Sequence, residues 1–167
     1  RAALSVVPFH LNLAHPQVWG ESGGYFADRG GNTEIVFKQK TVDEAAKKKG
    51  LTSIPDCGLA PGMVNILAEY GIKQLDTVET VRIFVGGLPQ RPEPPLNYQI
   101  VYSLEGVLDY YTTLSMVLRK GKLTQVKALS ELEVVNFGGS LGELEGFHTA
   151  GGLSTMASRY EGKIPTM

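Results

Sequence analysis

One ten-residue stretch, Asp56-Cys57-Gly58-Leu59-Ala60-Pro61-Gly62-Met63-Val64-Asn65, constrains the fold of this chain more than any other. A short apolar run over 51–55 precedes it and an amphipathic run follows. The order reads as a strand, a tight Gly/Pro turn and a helix. Pro61 suits a first helical turn, where a missing N–H costs nothing. Gly58 and Gly62 let backbone amides come close to a ligand, and the helix start adds partial positive charge. Sites of this kind sit at the carboxyl edge of a parallel sheet. The same turn also serves as an ordinary strand-to-helix connection, and its geometry alone does not separate the two.

Composition sets the class. The 167 residues are 43% hydrophobic and 20% charged, enough for one domain with a core, or a small domain plus part of another. A net charge of −1 gives no electrostatic reason to expect nucleic acid or an anionic membrane. No apolar run approaches the ~20 residues of a spanning helix. Cys57, the single cysteine, allows no internal disulfide and suits a reducing cytoplasm. The three histidines form no ligand-spaced pair, so no metal site is expected.

Along the chain, strands and helices alternate at first. Residues 3–7 read as a buried strand. Pro16 makes a helix after Asn12 doubtful or late-starting. Gly23 and Gly24 feed a short strand that delivers Asp28. Thr41 and Glu44 form a capping-box pattern for a helix over 41–49, with Gly50 as terminator. Met63, Ile66, Leu67 and Tyr70 share one face of a helix ending at Gly71. Beyond Lys73 the pattern changes. Alternation over 81–85 and the run 97–102 predict strands, on either side of an extended Pro-rich loop at 91–95. Helical spacing runs from Leu104 to Leu118, with Ser103 as cap and Gly121 as stop. Further strands are expected over 123–128 and 132–137. The expected architecture is α/β: the later half of a Rossmann-like doubly wound unit over 1–73, then an incomplete α+β substrate and dimerisation domain with a mixed sheet over 74–167.

Four segments resemble one family. Asp56 to Met63 looks like the hallmark turn of the lysine 6-dehydrogenase and saccharopine dehydrogenase (reductase) family. Residues 5–12 are similar to its Pro-aromatic-x-x-Asn loop, 28–34 to its Asp-x-Gly-Gly-Asn-Thr loop, and 147–155 to its Thr-x-Gly-Gly-Leu-Ser-Thr loop. The motifs keep the family order and span most of the chain. The family's Gly-x-Gly-x-x-Gly turn is absent: of 20 glycines no two are separated by a single residue. The chain therefore reads as a piece cut at both ends, without the main pyrophosphate cradle.

The resemblance implies hydride transfer between NAD or NADP and a carbon–nitrogen centre of an amino acid. It implies cofactor contacts from Pro8, Phe9, Asn12 and Asp56. Asn12 can fix a carboxamide or ribose, or simply cap a helix. Asp28 is a candidate base or counter-ion for a substrate ammonium, or an Asx-turn residue. Substrate contacts are implied for Gly31, Asn32, Thr33, Cys57, Gly58, Pro61, Gly62, Thr149, Gly151 and Gly152. Cys57 reads as a packed side chain rather than a nucleophile, which hydride transfer does not need. His148 is a second acid/base candidate, or a surface histidine. Arg159 and Tyr160 are candidates for gripping a carboxylate.

Two readings of different kind follow. One is the substrate-side portion of a lysine 6-dehydrogenase-like enzyme, with a saccharopine reductase as rival. The other is a catalytically silent module that self-associates through the strands after Lys73. Both predict a homodimer through the second region.

Overall fold

The structure, a computed structural model, describes the backbone of residues 1–167 and every side chain except those of Phe9, Pro16, Gln17 and Trp19. Phe9, an expected cofactor contact, thus lies outside the described side chains.

Three short parallel strands make the first sheet: β1 (Ala2–Ser5), β2 (Tyr25–Asp28) and β3 (Ser53–Ile54), in the order β1-β2-β3. Ser5 pairs with Asp28 and Ala27 with Ile54, so all three strands end at one edge. After β1 a 3-10 turn (Phe9–Leu13) leads into helix α1 (Ala14–Glu21). Position 16 is its third residue, where a backbone N–H has no intrahelical bond to lose. The late start is what the proline imposes.

Helix α2 (Thr33–Lys40) was not legible in the apolar pattern. Asn32 starts it, its Oδ1 accepting from the Ile35 N–H at 3.1 Å. This changes the role of Thr41. Its hydroxyl donates back to the Lys38 carbonyl at 2.7 Å, closing α2, so no Thr41–Glu44 capping box forms. Helix α3 is correspondingly shorter, Asp43–Lys48, and carries a Lys47–Asp43 ion pair at 2.6 Å. Gly50, at φ +64°, ends it as expected.

Helix α4 (Met63–Ile72) begins one residue after Gly62, so Pro61 precedes the helix instead of lying in its first turn. The helix also passes through Gly71 to Ile72. The face bearing Met63, Ile66, Leu67 and Tyr70 is exposed. Its other side sends Ala68 and Ile72 against the core cluster of Leu118, Met156, Ala157, Ile164 and Met167.

Beyond α4 three expectations are corrected. Residues 81–85 form no strand: only Thr80 bridges, to Thr166, while Val81 and Ile83 pack on the core. Residues 97–102 are not extended pairing either. Asn97 is left-handed (φ +51°) and its N–H closes a turn onto the Glu93 carbonyl at 2.9 Å. The helix from Leu104 stops early: α5 spans Leu104–Thr112, capped by Ser103 as expected. Thr113 is already extended, and β4 (Ser115–Arg119) takes the remaining leucines, with Leu118 fully buried. Paired β-branched threonines at 112 and 113 favour that exit. Gly121 ends no helix. With Lys120 it makes a two-residue turn, both at positive φ, into β5 (Lys122–Val126). A second hairpin joins β6 (Glu133–Gly138) to β7 (Gly142–Gly146), and α6 (Met156–Arg159) lies against β4. The whole is a mixed α/β fold. Among the described residues no helix is long and apolar enough to cross a membrane.

Candidate functional site

The loops that leave the three parallel strands meet at the sheet's carboxyl edge, with Asp28 at their centre. Its carboxylate is fully buried. Oδ1 accepts from the backbone N–H of Gly30 at 2.6 Å and of Asp56 at 3.3 Å, and Oδ2 accepts from Gln39 Nε2 at 2.6 Å. The same Gln39 nitrogen donates to the Asn12 carbonyl at 2.7 Å. Asn12 is 2% exposed, and its Nδ2 reaches the Gly30 carbonyl at 3.5 Å. One acid thus ties together the loops after β1, β2 and β3. Its surroundings are those of an Asx turn extended by a second loop.

The glycines are where these loops touch. A Cβ on Gly58 would lie 2.6 Å from the Arg29 carbonyl oxygen, and one on Gly30 only 2.0 Å from Asp56 Oδ1. The Cys57 N–H donates to the Asp28 carbonyl at 2.6 Å. Gly58 and Gly62 thus serve close approach of backbone to backbone. The Gly62 N–H is held by Asn65 Oδ1 at 2.7 Å.

The fourth loop, 150–155, comes from the far end of the chain and is tied to the loop after β3 and the start of α4. Asn65 Nδ2 donates to the carbonyls of Gly152 and Leu153, each at 3.2 Å, and the Ser154 hydroxyl donates to Asp56 Oδ2. Helix α5 supports this loop from behind. The Ala150 N–H bonds the Tyr110 carbonyl at 3.1 Å, and Gly151, at φ +89°, lies against the Tyr110 ring. Asn32 Nδ2 reaches Asp109 Oδ2 at 3.3 Å, joining the start of α2 to the same helix. Gln39, Asn65, Asp109, Tyr110 and Ser154 are the supports that residue type alone did not single out. Asn65 and Ser154 sat inside the quoted motifs, whereas Gln39, Asp109 and Tyr110 carried no local signal. Replacing Asn65 by alanine removes three hydrogen bonds at once. The expected cost is about 2 kcal/mol, read as a lower denaturation midpoint.

Other expected residues lie apart. His148 is held by Arg119 (3.1 Å) and Glu131 (3.2 Å), beside the hairpins. That histidine, with Arg119, keeps the Glu131 carboxyl below its ordinary range. Thr149 and Pro8 are exposed. Arg159 and Tyr160 are both engaged by Glu69. Thr33 opens α2, and Gly31 lies in the loop before it at φ +125°. A separate cavity of about 230 Å³, lined by Phe26, Ala46, Lys49, Leu51 and Ser53 among others, opens at the amino ends of β2 and β3, away from these loops.

Two acidic groups, Asp28 and Asp56, stand at the centre of the site, with the exposed Arg29 in the same loop as Asp28. Burial, opposed by the Ser154 hydrogen bond and aided by the charge of Asp28, pushes the Asp56 carboxyl up to about 6. Burial and the two aspartates also raise the Cys57 thiol, the reverse of what an activated nucleophile needs. Among the described residues no group of three or more His, Cys, Asp or Glu side chains could hold a metal ion. Asn12 is buried, and Asp56 is half-buried with its Oδ1 enclosed.

Fold and site together define a mixed α/β protein with a loop-built site at the carboxyl edge of a parallel sheet. The family model for the saccharopine dehydrogenase C-terminal domain matches residues 58–166, and the chain belongs to that family. It is 31% identical over 91 residues to a saccharopine dehydrogenase [NADP(+), L-glutamate-forming] of Pyricularia oryzae, covering 51% of this chain and 20% of that protein. It is 36% identical over 94 residues to the mitochondrial alpha-aminoadipic semialdehyde synthase of Mus musculus, covering 53% of this chain and 10% of that protein. Apo saccharopine dehydrogenase (L-Glu forming) from Saccharomyces cerevisiae shares the fold, with a TM-score of 0.69 at 15% identity, over 99% of this chain and 38% of that one. The chain therefore spans a fifth or less of the curated relatives it matches.

Proposed function

We propose that this chain supplies the amino-acid side of an NAD(P)-dependent oxidoreductase that acts on a CH–NH group, with a saccharopine-type secondary amine as substrate. The convergence of the 28–32, 56–62 and 150–155 loops carries this reading. It brings half-buried small residues and backbone together at one sheet edge, and two of the relatives named above are saccharopine dehydrogenases. In such a reaction a hydride leaves the amine carbon for the nicotinamide, a proton leaves nitrogen, and a C=N bond remains. The chain's own part is positioning. Asp28 holds the three sheet-edge loops rather than touching substrate. Gly31, Gly58, Gly151 and Gly152 offer backbone to the ligand's carboxylates, and Thr149 stands at the rim.

The lysine 6-dehydrogenase reading is kept as a second, on the strength of the Asp56–Met63 turn. Calorimetric titration separates the two. Saccharopine is expected to bind more tightly than L-lysine. The reverse order would favour the lysine enzyme, and no heat with either would overturn both.

Boundaries near 73 fit the switch from parallel to antiparallel strands, although Ala68 and Ile72 join the second region's core. A homodimer through the open hairpin β6–β7, whose Val134 and Phe137 are exposed, and a cytoplasmic location are proposed with it.

A further inference from the structure

At the amino ends of the parallel strands, the far end from the loop-built site, the helices do not close on the sheet. Helix α3 buries none of its residues, although a helix laid on a sheet ordinarily hides its apolar stripe there. Val42, Ala45 and Ala46 instead line a cavity of about 230 Å³, and Phe26 and Leu51 add to its apolar wall. The gap persists because the facing positions are small: alanines at 45 and 46, glycines at 20 and 24. The lining is not purely apolar. Ser53 pairs in register with Phe26, so both side chains stand on one face of the sheet. The Ser53 hydroxyl is buried without a hydrogen-bond partner, a state that costs free energy and that folded proteins seldom keep. Lys49 also lines the cavity. Its ammonium donates to the Gly20 carbonyl at 3.0 Å, which uses one of its three donors. Among the described residues Lys49 forms no ion pair. Glu21, the acid among the lining residues, is exposed.

We infer that this cavity is a second binding site, for a small monocarboxylate with a compact apolar body, aromatic or branched aliphatic. The body lies against Phe26, Ala46 and Leu51. The carboxylate accepts from the Lys49 ammonium and from the Ser53 hydroxyl, which gives that bare group its missing bond. Size agrees with this class. An apolar cavity of about 150 Å³ holds a benzene ring, so 230 Å³ has room for such a ring and one carboxylate. Charge agrees as well, since a single anion meets a single unpaired cation while the rest of the wall asks for apolar surface. A saccharopine-type amine, charged along its whole length, does not suit these walls. The cavity site therefore stands apart from the proposed amino-acid site at the other end of the sheet.

The test is an NMR titration of the chain with benzoate as the probe, following backbone amides. Saturable shifts are expected at Phe26, Ala46, Lys49 and Ser53, with a dissociation constant on the order of 1 mM for so small a ligand. Gly31, Gly58, Gly151 and Gly152 should not move. Two variants then separate charge from shape. Lys49→Met keeps the apolar stem, so it should weaken benzoate about tenfold and leave benzyl alcohol, a neutral probe of the same body, unchanged. Ser53→Ala should weaken benzoate severalfold and at the same time raise the denaturation midpoint, because the bare hydroxyl is gone. A residue with a purely structural role would not give that pair of changes. The proposal is overturned by the absence of saturation at tens of millimolar benzoate, or by shifts that fall on the sheet-edge loops. Equal losses for benzoate and benzyl alcohol in Lys49→Met, or an unchanged benzoate affinity in Ser53→Ala, would overturn it as well. The wild-type titration stands even where a variant does not fold. A failed saccharopine titration leaves this result untouched.

Discussion

Gly62→Ala is expected to lower the stability of the chain by about 3 kcal/mol or more, through a turn that cannot make room. Gly62 has φ +135°, and the added Cβ would fall 2.1 Å from the Gly58 carbonyl oxygen, 2.5 Å from its nitrogen and 2.7 Å from the Asp56 carbonyl oxygen. All three are backbone atoms. No rotamer change relieves the overlap, so the turn that carries Cys57 and Gly58 must open. The loss should appear as a lower midpoint in denaturant with an unchanged slope. Gly71→Ala in the same helix is the control. Nothing lies within 4 Å of its Cβ position and its backbone is helical. That exchange is expected to stabilise by about 0.5–1 kcal/mol, because glycine is a poor helix residue. Equal effects at 62 and 71 would show that the Gly58–Gly62 contact is not what holds the turn.

The second large effect is expected at Asp28. Alanine there strips the acceptor from the Gly30 and Asp56 N–H groups and from Gln39, leaving buried donors unpaired. Each such group costs about 1–3 kcal/mol, so the expected loss is about 3 kcal/mol or more and brings the chain near its folding limit. Asn at 28 retains one acceptor oxygen and should recover about half of that, at the expense of an amide facing other donors. Thermal unfolding of the two variants checks the order. An Asp28→Ala chain as stable as the wild type would mean that Asp28 is not the hub and would return it to the list of groups free to meet a substrate ammonium.

The four motifs were legible because each is local, and each ends a strand or opens a helix. Their spacing along the chain says nothing of their meeting, yet Asp28, Gly30, Asp56 and Gly58 do meet, and the reason is the parallel register that ends β1, β2 and β3 at one edge. The helix at 33–40 was missed because its apolar residues, Ile35, Val36 and Phe37, stand in one run without helical spacing, and its signal lay in Asn32 as an N-cap, already read as a ligand group. Thr41 and Glu44 have the right spacing for a capping box. Thr41 was taken by the preceding helix instead, a competition that one segment alone does not reveal. The leucines of 104–118 keep helical spacing to the end, but Leu114–Leu118 also suit a strand, and burial of Leu118 against Met156, Ala157 and Met167 decides for the strand. His148 and Asp28 were chosen by chemistry. Tertiary packing gives His148 to Arg119 and Glu131, and buries Asp28 among the N–H groups of Gly30, Asp56 and Gln39. Support residues such as Gln39 and Tyr110 act through contacts many residues away and leave no mark in their own neighbourhood.

The central claim is that the loops after β2, after β3 and at 150–155 form one amino-acid site. A residue-resolved NMR titration of the chain with saccharopine tests it most directly. The account predicts saturable amide shifts concentrated at Gly31, Gly58, Gly151 and Gly152, moving together with one affinity. Shifts that cluster around the cavity of Phe26, Ala46 and Lys49, or that leave those four amides unmoved at saturation, would contradict it.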